Sequence, residues 1–170
     1  VDTGDVAGDL HDGAANRAAI RLAVAEILAA GAVPLVLGGD DSVPIPVLEA
    51  YTETPLTVVQ IDAHIDWRDE VAGERFGYSS TMRRASELAQ VAAIVQVGAR
   101  GPGSARTADV DAARAWGADI VTAREVHRGG VAAVLDRIPR GRALYLAVDV
   151  DGLDPALVPG VLLPAFGGLG

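Results

Sequence analysis

Residues 56–66 read Leu56-Thr57-Val58-Val59-Gln60-Ile61-Asp62-Ala63-His64-Ile65-Asp66, and this stretch decides the fold class. Leu56 to Ile61 is short, apolar and rich in β-branched residues, the pattern of a buried strand. Acidic and imidazole groups follow at once. Asp62, His64 and Asp66 are spaced i, i+2 and i+4, which puts all three on one side of an extended strand end.

The same punctuation recurs on either side. Upstream, Val33 to Leu37 reads as a short buried strand that runs into Gly38-Gly39-Asp40-Asp41. Downstream, Ala143 to Val148 reads as a strand followed by Asp149-Val150-Asp151. Further strands are expected at Val91 to Val97 and Asp119 to Thr122. Helices are expected over Ala14 to Ala30, over 42–50 with Pro44 in the first turn, and near Ser80 to Leu88. Two more should cover Ala105 to Trp116 and Gly130 to Arg137. Strands alternating with helices imply parallel pairing with helices on both faces. Ligands of such sheets bind beyond the carboxyl ends of the strands. Asp41, Asp62, His64, Asp66, Asp149 and Asp151 therefore converge on one sheet edge.

Carboxylates gathered in this way repel one another and raise some of their pKa values unless cations are bound. Oxygen donors with one imidazole suit Mn²⁺ or Mg²⁺ better than a metal that prefers soft ligands. With two ions, bridging carboxylates serve both, and a bridging water becomes a usable hydroxide near neutral pH.

Composition narrows the class. The 170 residues fit one domain, half of them are hydrophobic and 22% are charged, which is ample for a packed core. The net charge of −9 argues against nucleic acid and anionic membranes as partners. There is no cysteine, so disulfides, thiol catalysis and a Cys-ligated zinc are excluded, and a cytoplasmic protein is expected. The most apolar stretch, Ala18 to Gly39, is broken by Arg21, Glu26, Gly31 and Pro34 and is no transmembrane helix. No signal peptide is visible. The chain starts with Val1 and stops inside Phe166-Gly167-Gly168-Leu169-Gly170, so truncation at both ends is expected.

Leu37-Gly38-Gly39-Asp40-Asp41-Ser42, Ile61 to Asp66 and Val148-Asp149-Val150-Asp151-Gly152-Leu153-Asp154-Pro155 resemble the three signature motifs of the ureohydrolase (arginase/agmatinase) family. The resemblance runs through essentially the whole chain in the family's order. It implies a three-layer α/β/α fold with a mainly parallel sheet, arginase-like, in a single domain over 1–170. It also implies an agmatinase-like enzyme whose two Mn²⁺ ions hold a bridging hydroxide that attacks a guanidino carbon, releasing urea and an amine. By position, Asp62 and Asp149 would bridge the ions, Asp41 and Asp66 would complete one site, and His64 and Asp151 the other. Asp66 would also orient the hydroxide. The substrate would be a cationic guanidino compound, and the assembly a trimer or hexamer.

The chain departs from the family twice. Asp41 stands where the first motif carries a metal-binding His, and Tyr78 stands where a His precedes the Arg83-Arg84-Ala85 helix start. A carboxylate still ligates Mn²⁺. A phenol with an ordinary pKa near ~10 donates a hydrogen bond but shuttles protons poorly at pH 7. The acidic residue that grips the guanidinium in the family would lie beyond Gly170.

Asp69, Glu70 and Glu74 follow the second motif and are candidates to meet a cationic substrate tail, against the simpler reading of a solvated loop. Gly98 to Ser104 reads as a rim loop without the lysine of a phosphate loop. His11 and His127 read as surface or capping residues. Two other readings stand beside the leading one: a non-catalytic metal-binding paralogue or assembly subunit, and a single-zinc deacetylase-like hydrolase of the same broad fold.

Overall fold

The computed structural model describes residues 1–52, 54–101, 103 and 105–170. Strands β1 (Leu56–Ile61), β2 (Val91–Ala99), β3 (Asp119–Thr122) and β4 (Ala143–Val148) form one sheet in the order β3-β2-β1-β4, parallel throughout. A parallel pair cannot be joined by a tight turn. The crossovers accordingly carry α3 (Thr81–Ala85), α4 (Thr107–Trp116) and α5 (Ala123–Leu135), while α1 (Gly13–Ala29) and α2 (Pro44–Glu49) precede β1.

The alternation of side chains along the strands builds two cores. Leu56, Val58 and Ile94 face Leu48 of α2, Met82 and Ala85 of α3 and Ala113 of α4. Val59, Val95, Val97 and Val121 face Val126 and Val134 of α5 on the opposite side. The layering is α/β/α, as the motifs imply. No helix among the described residues is long and apolar enough to cross a membrane.

Three local expectations change. Val33 to Leu37 forms no strand, and Val33, Leu35 and Leu37 are 92%, 84% and 86% exposed. An apolar run becomes a strand only when a partner takes its N–H and C=O groups, and no ladder reaches this run among the described residues. The last helix starts at Ala123 instead of Gly130, because Thr122 and Glu125 form a capping box there. Gly130, at φ +66°, is a kink inside that helix. The helix expected near Ser80 to Leu88 is shorter, Thr81–Ala85.

The sheet brings the acidic loops together. The Asp62 N–H donates to Val97 O at 3.0 Å, and the Asp149 N–H donates to Ile61 O at 2.9 Å, so three strand ends stay in register where the loops begin. Gly152 permits this approach: a Cβ there would lie 2.9 Å from Asp62 N.

Candidate metal centre and its cavity

Asp62, first residue past β1, is 2% exposed. Its Oδ1 accepts the His64 N–H at 2.5 Å, which folds the chain back and turns the imidazole toward the β4 side. His64 Nδ1 lies 3.3 Å from Asp62 Oδ1 and 3.0 Å from Asp151 Oδ2. Asp151 is fixed in turn, because its Oδ1 accepts the Ala63 N–H at 3.0 Å and its own N–H donates to Asp149 Oδ1 at 2.8 Å. Asp66 adopts φ +46°, a left-handed conformation that Asp tolerates better than most residues. That turn brings its carboxylate back beside Asp62. Asp41 completes the group, its carbonyl accepting a short hydrogen bond from the Thr81 hydroxyl.

The result is two sets of donor atoms, each clustered within 4.8 Å: Asp41, Asp62 and Asp66, and Asp62, His64 and Asp151. Asp62 belongs to both. Asp149 lines the same cavity but joins neither tight set, and it is half-buried.

Electrostatics show that the cluster is short of positive charge. Burial, with Asp62 and Asp149 nearby, pushes Asp41 up to about 8. Burial also raises Asp62 and Asp149, and it raises Asp66 well above the carboxylate range, aided by the charges of Asp62 and Asp41. Hydrogen bonds to Asp151 and Asp62 hold His64 up to about 10. Asp151 is buried too, yet its bonds with His64 and Ala63 bring it below its ordinary value. Asp41 Oδ2 is buried without a hydrogen-bond partner among the described residues. A buried unpaired carboxylate oxygen facing other raised carboxylates fits a cation, and the donors are the hard oxygens and imidazole that divalent ions such as manganese take.

Two glutamines that the sequence reading passed over support the floor. Gln60 Nε2 donates to Asp62 Oδ2 at 2.8 Å and to Asp66 Oδ2 at 2.6 Å. Gln96 Nε2 then donates to Gln60 Oε1 and Ile65 O, both at 2.6 Å. Both are fully buried, and a polar side chain at a core-facing position inside LTVVQI was the available signal. Arg100 is the counterpart on the β4 side. Its guanidinium donates to the carbonyls of Asp151 at 2.6 Å, Gly152 at 3.1 Å and Leu153 at 3.0 Å, tying down the Asp149–Asp154 turn.

These groups floor a cavity of about 510 Å³ whose walls include Trp67, Arg68, Tyr78, Ser79, Asp109 and Val161 to Leu163. Tyr78 is on the wall and 53% exposed. The acidic residues expected to meet a substrate tail are elsewhere. Asp69 pairs with Arg84 at 2.6 Å and Arg75 at 3.2 Å, Glu74 borders a separate hollow, and Glu70 does not line the cavity. Of the expected rim loop, Gly103 lines the cavity, while Pro102 and Ser104 lie outside the described residues. His11 is exposed and His127 sits 3.3 Å from Gly167 O, both away from the cavity.

A profile of the Arginase family matches residues 1–170. The chain belongs to the arginase family. It is 32% identical over 176 residues to the mitochondrial guanidino acid hydrolase of Homo sapiens, covering 99% of this chain and 49% of that protein. It is 33% identical over 177 residues to the mitochondrial agmatinase of Gallus gallus, covering 99% and 51%. Among solved structures, proclavaminate amidino hydrolase from Streptomyces clavuligerus superposes with a TM-score of 0.88 at 33% identity, over 100% of this chain and 58% of that one. This arginase-family chain thus spans about half the length of the curated relatives it matches.

Proposed function

We propose that residues 1–170 form the metal-holding unit of a manganese-dependent hydrolase that cleaves a guanidino C–N bond with water, giving urea and an amine. The observation that carries this reading is Asp62, whose carboxylate belongs to two donor sets at once, the arrangement that two adjacent ions require. Asp41, Asp62 and Asp66 would hold one ion and Asp62, His64 and Asp151 the other, with Asp149 closing the pair from β4. Two divalent ions so held supply a Lewis acid and make water nucleophilic near neutral pH.

The chain's own groups do the rest. Gln60 donates to one oxygen each of Asp62 and Asp66, fixing both carboxylates for ligation and for orienting a water. Asp66, fixed beside Asp62 by Gln60, is the carboxylate placed to orient the attacking water. His64 holds a proton between Asp62 and Asp151, and this proton must leave for its Nδ1 to ligate, so metal loading weakens as pH falls. Tyr78 offers a hydrogen-bond donor from the wall to the guanidino group or the departing amine. The cationic guanidinium is attracted by the acidic floor.

Two manganese ions per chain are expected by elemental analysis, dropping below one in Asp62→Ala, with urea released by the full-length protein from at least one guanidino compound. A single zinc per chain would favour the deacetylase-like reading. Two manganese ions without urea from any guanidino compound would favour the non-catalytic paralogue.

A further inference from the structure

The two donor sets differ in kind. Asp41, Asp62 and Asp66 offer carboxylate oxygens alone, whereas Asp62, His64 and Asp151 combine two carboxylates with an imidazole nitrogen. Both sets use Asp62. What separates them is Asp41 and Asp66 on one side against His64 and Asp151 on the other.

Among the described residues, no second nitrogen donor reaches the first set. The chain has three histidines and no cysteine. His64 Nδ1 is committed to the β4 side, 3.0 Å from Asp151 Oδ2 and 3.3 Å from Asp62 Oδ1. His11 is exposed and His127 sits against Gly167 O, and neither lines the cavity. Gln60 approaches Asp62 and Asp66 through its amide N–H groups, which donate hydrogen bonds and offer a metal no lone pair. Asp40 is turned aside, because its Oδ1 accepts both the N–H and the hydroxyl of Ser42. Asp41 instead keeps Oδ2 buried without a hydrogen-bond partner among the described residues.

Donor type governs which ion a position prefers. Carboxylate oxygens suit hard ions such as manganese and magnesium, while an imidazole favours zinc and its neighbours. We propose that the two positions differ in metal preference: Asp41, Asp62 and Asp66 form an all-oxygen site for manganese or magnesium, and the His64 position is the one that admits zinc. Manganese alone fills both. A protein exposed to both ions holds a mixed pair in each molecule, not a population of matched pairs. This rests on the dinuclear centre of the reading above and is independent of the reaction assigned to it.

The test uses the full-length protein, stripped of metal and equilibrated with manganese and zinc together. Their free concentrations are set so that acetate binds mainly manganese and imidazole mainly zinc. Elemental analysis should find about one manganese and about one zinc per chain. Electron paramagnetic resonance should show isolated manganese, because the neighbouring zinc is diamagnetic. Matched pairs would give the same totals with the spectrum of coupled manganese ions, and would overturn the proposal. Asp41→His gives the first position a nitrogen and should raise zinc to about two per chain at the expense of manganese. His64→Asp removes the nitrogen of the second position and should do the reverse. The two substitutions sit on different loops and serve as independent checks. An unchanged metal ratio in either variant, shown to be folded, would overturn the proposal, as would two zinc or two manganese ions in the wild type. Fewer than two ions in total, from the mixture and from manganese alone, would sink the dinuclear reading and this proposal with it. Two ions in matched pairs sink only this one.

Discussion

Strands β1 and β4 are neighbours of equal length, paired residue for residue from Leu56 with Ala143 to Ile61 with Val148, and each ends in an acidic motif. They differ in everything that surrounds them. In β1, Leu56 to Gln60 are all buried, with a strand on either side and helices on both faces. In β4, Leu144, Leu146 and Val148 are 56%, 54% and 53% exposed, because among the described residues no helix covers this face of the edge strand. The two acidic loops inherit this difference. Asp62 and Asp66 are gripped by side chains rising from the core, Gln60 backed by Gln96. Asp149 and Asp151 are held by a backbone turn and by Arg100. One half of the centre is therefore built into the core, and the other is strapped to it.

The largest test of this contrast is stability. Leu56→Ala removes a fully buried side chain and should cost about 2–5 kcal/mol in urea denaturation of the chain. Leu146→Ala, half in solvent, should cost only about 0.5 kcal/mol. Equal losses would mean that β4 is packed as tightly as β1 and would end the comparison.

A smaller effect should appear in metal binding. Gln60→Leu keeps the volume of the core roughly constant but removes the donor shared by Asp62 and Asp66. Manganese affinity should fall about 10- to 100-fold, the usual consequence of losing a hydrogen bond behind a ligand. Affinity unchanged in a variant that melts like the wild type would show that the backbone alone positions these carboxylates.

Why the sequence showed some of this and not the rest follows from the same contrast. Strand, turn and acidic loop are local patterns, so β1 to β4 and the convergence of Asp62, His64, Asp66 and Asp151 could be read directly, whereas Asp41 reaches the site without the strand expected before it. Pairing is not local. Val33 to Leu37 has the same apolar pattern as Ala143 to Val148, yet one is an exposed coil and the other a strand, because only the second lies against β1. Gln60 looked like one polar residue in a strand, and its role depends on Gln96, 36 residues away. Arg68 lies two residues past Asp66 in sequence, and its ion pair with Asp109 depends on α4 lying beside it. The acidic residues near it, Asp69 and Glu74, were more conspicuous in sequence but turn toward arginines and backbone outside the cavity.

The remaining test concerns pH. Asp41, Asp62, Asp66 and Asp149 all hold protons more tightly in the fold than in an unfolded chain, where carboxyls titrate near 3.8. His64 does the same, from 6.5 up to about 10. A raised pKa gives stability that is complete below the unfolded value and is lost as pH rises through the folded one. All five shifts therefore act in one direction, and the metal-free protein should melt at progressively lower temperature between about pH 5 and pH 9. Asp151, lowered by His64, opposes this only at the acid end, below its ordinary value of 3.8. Manganese should flatten the fall, because bound cations replace the protons. The two halves of the centre should also separate. Asp41→Asn, at the buried β1 side, should remove more of the slope than Asp149→Asn on the half-buried β4 side. A metal-free melting temperature that stays level or rises over this range would mean that the carboxylates are not crowded as the structure places them. Equal flattening by the two variants would mean that the strapped half bears as much charge strain as the buried one.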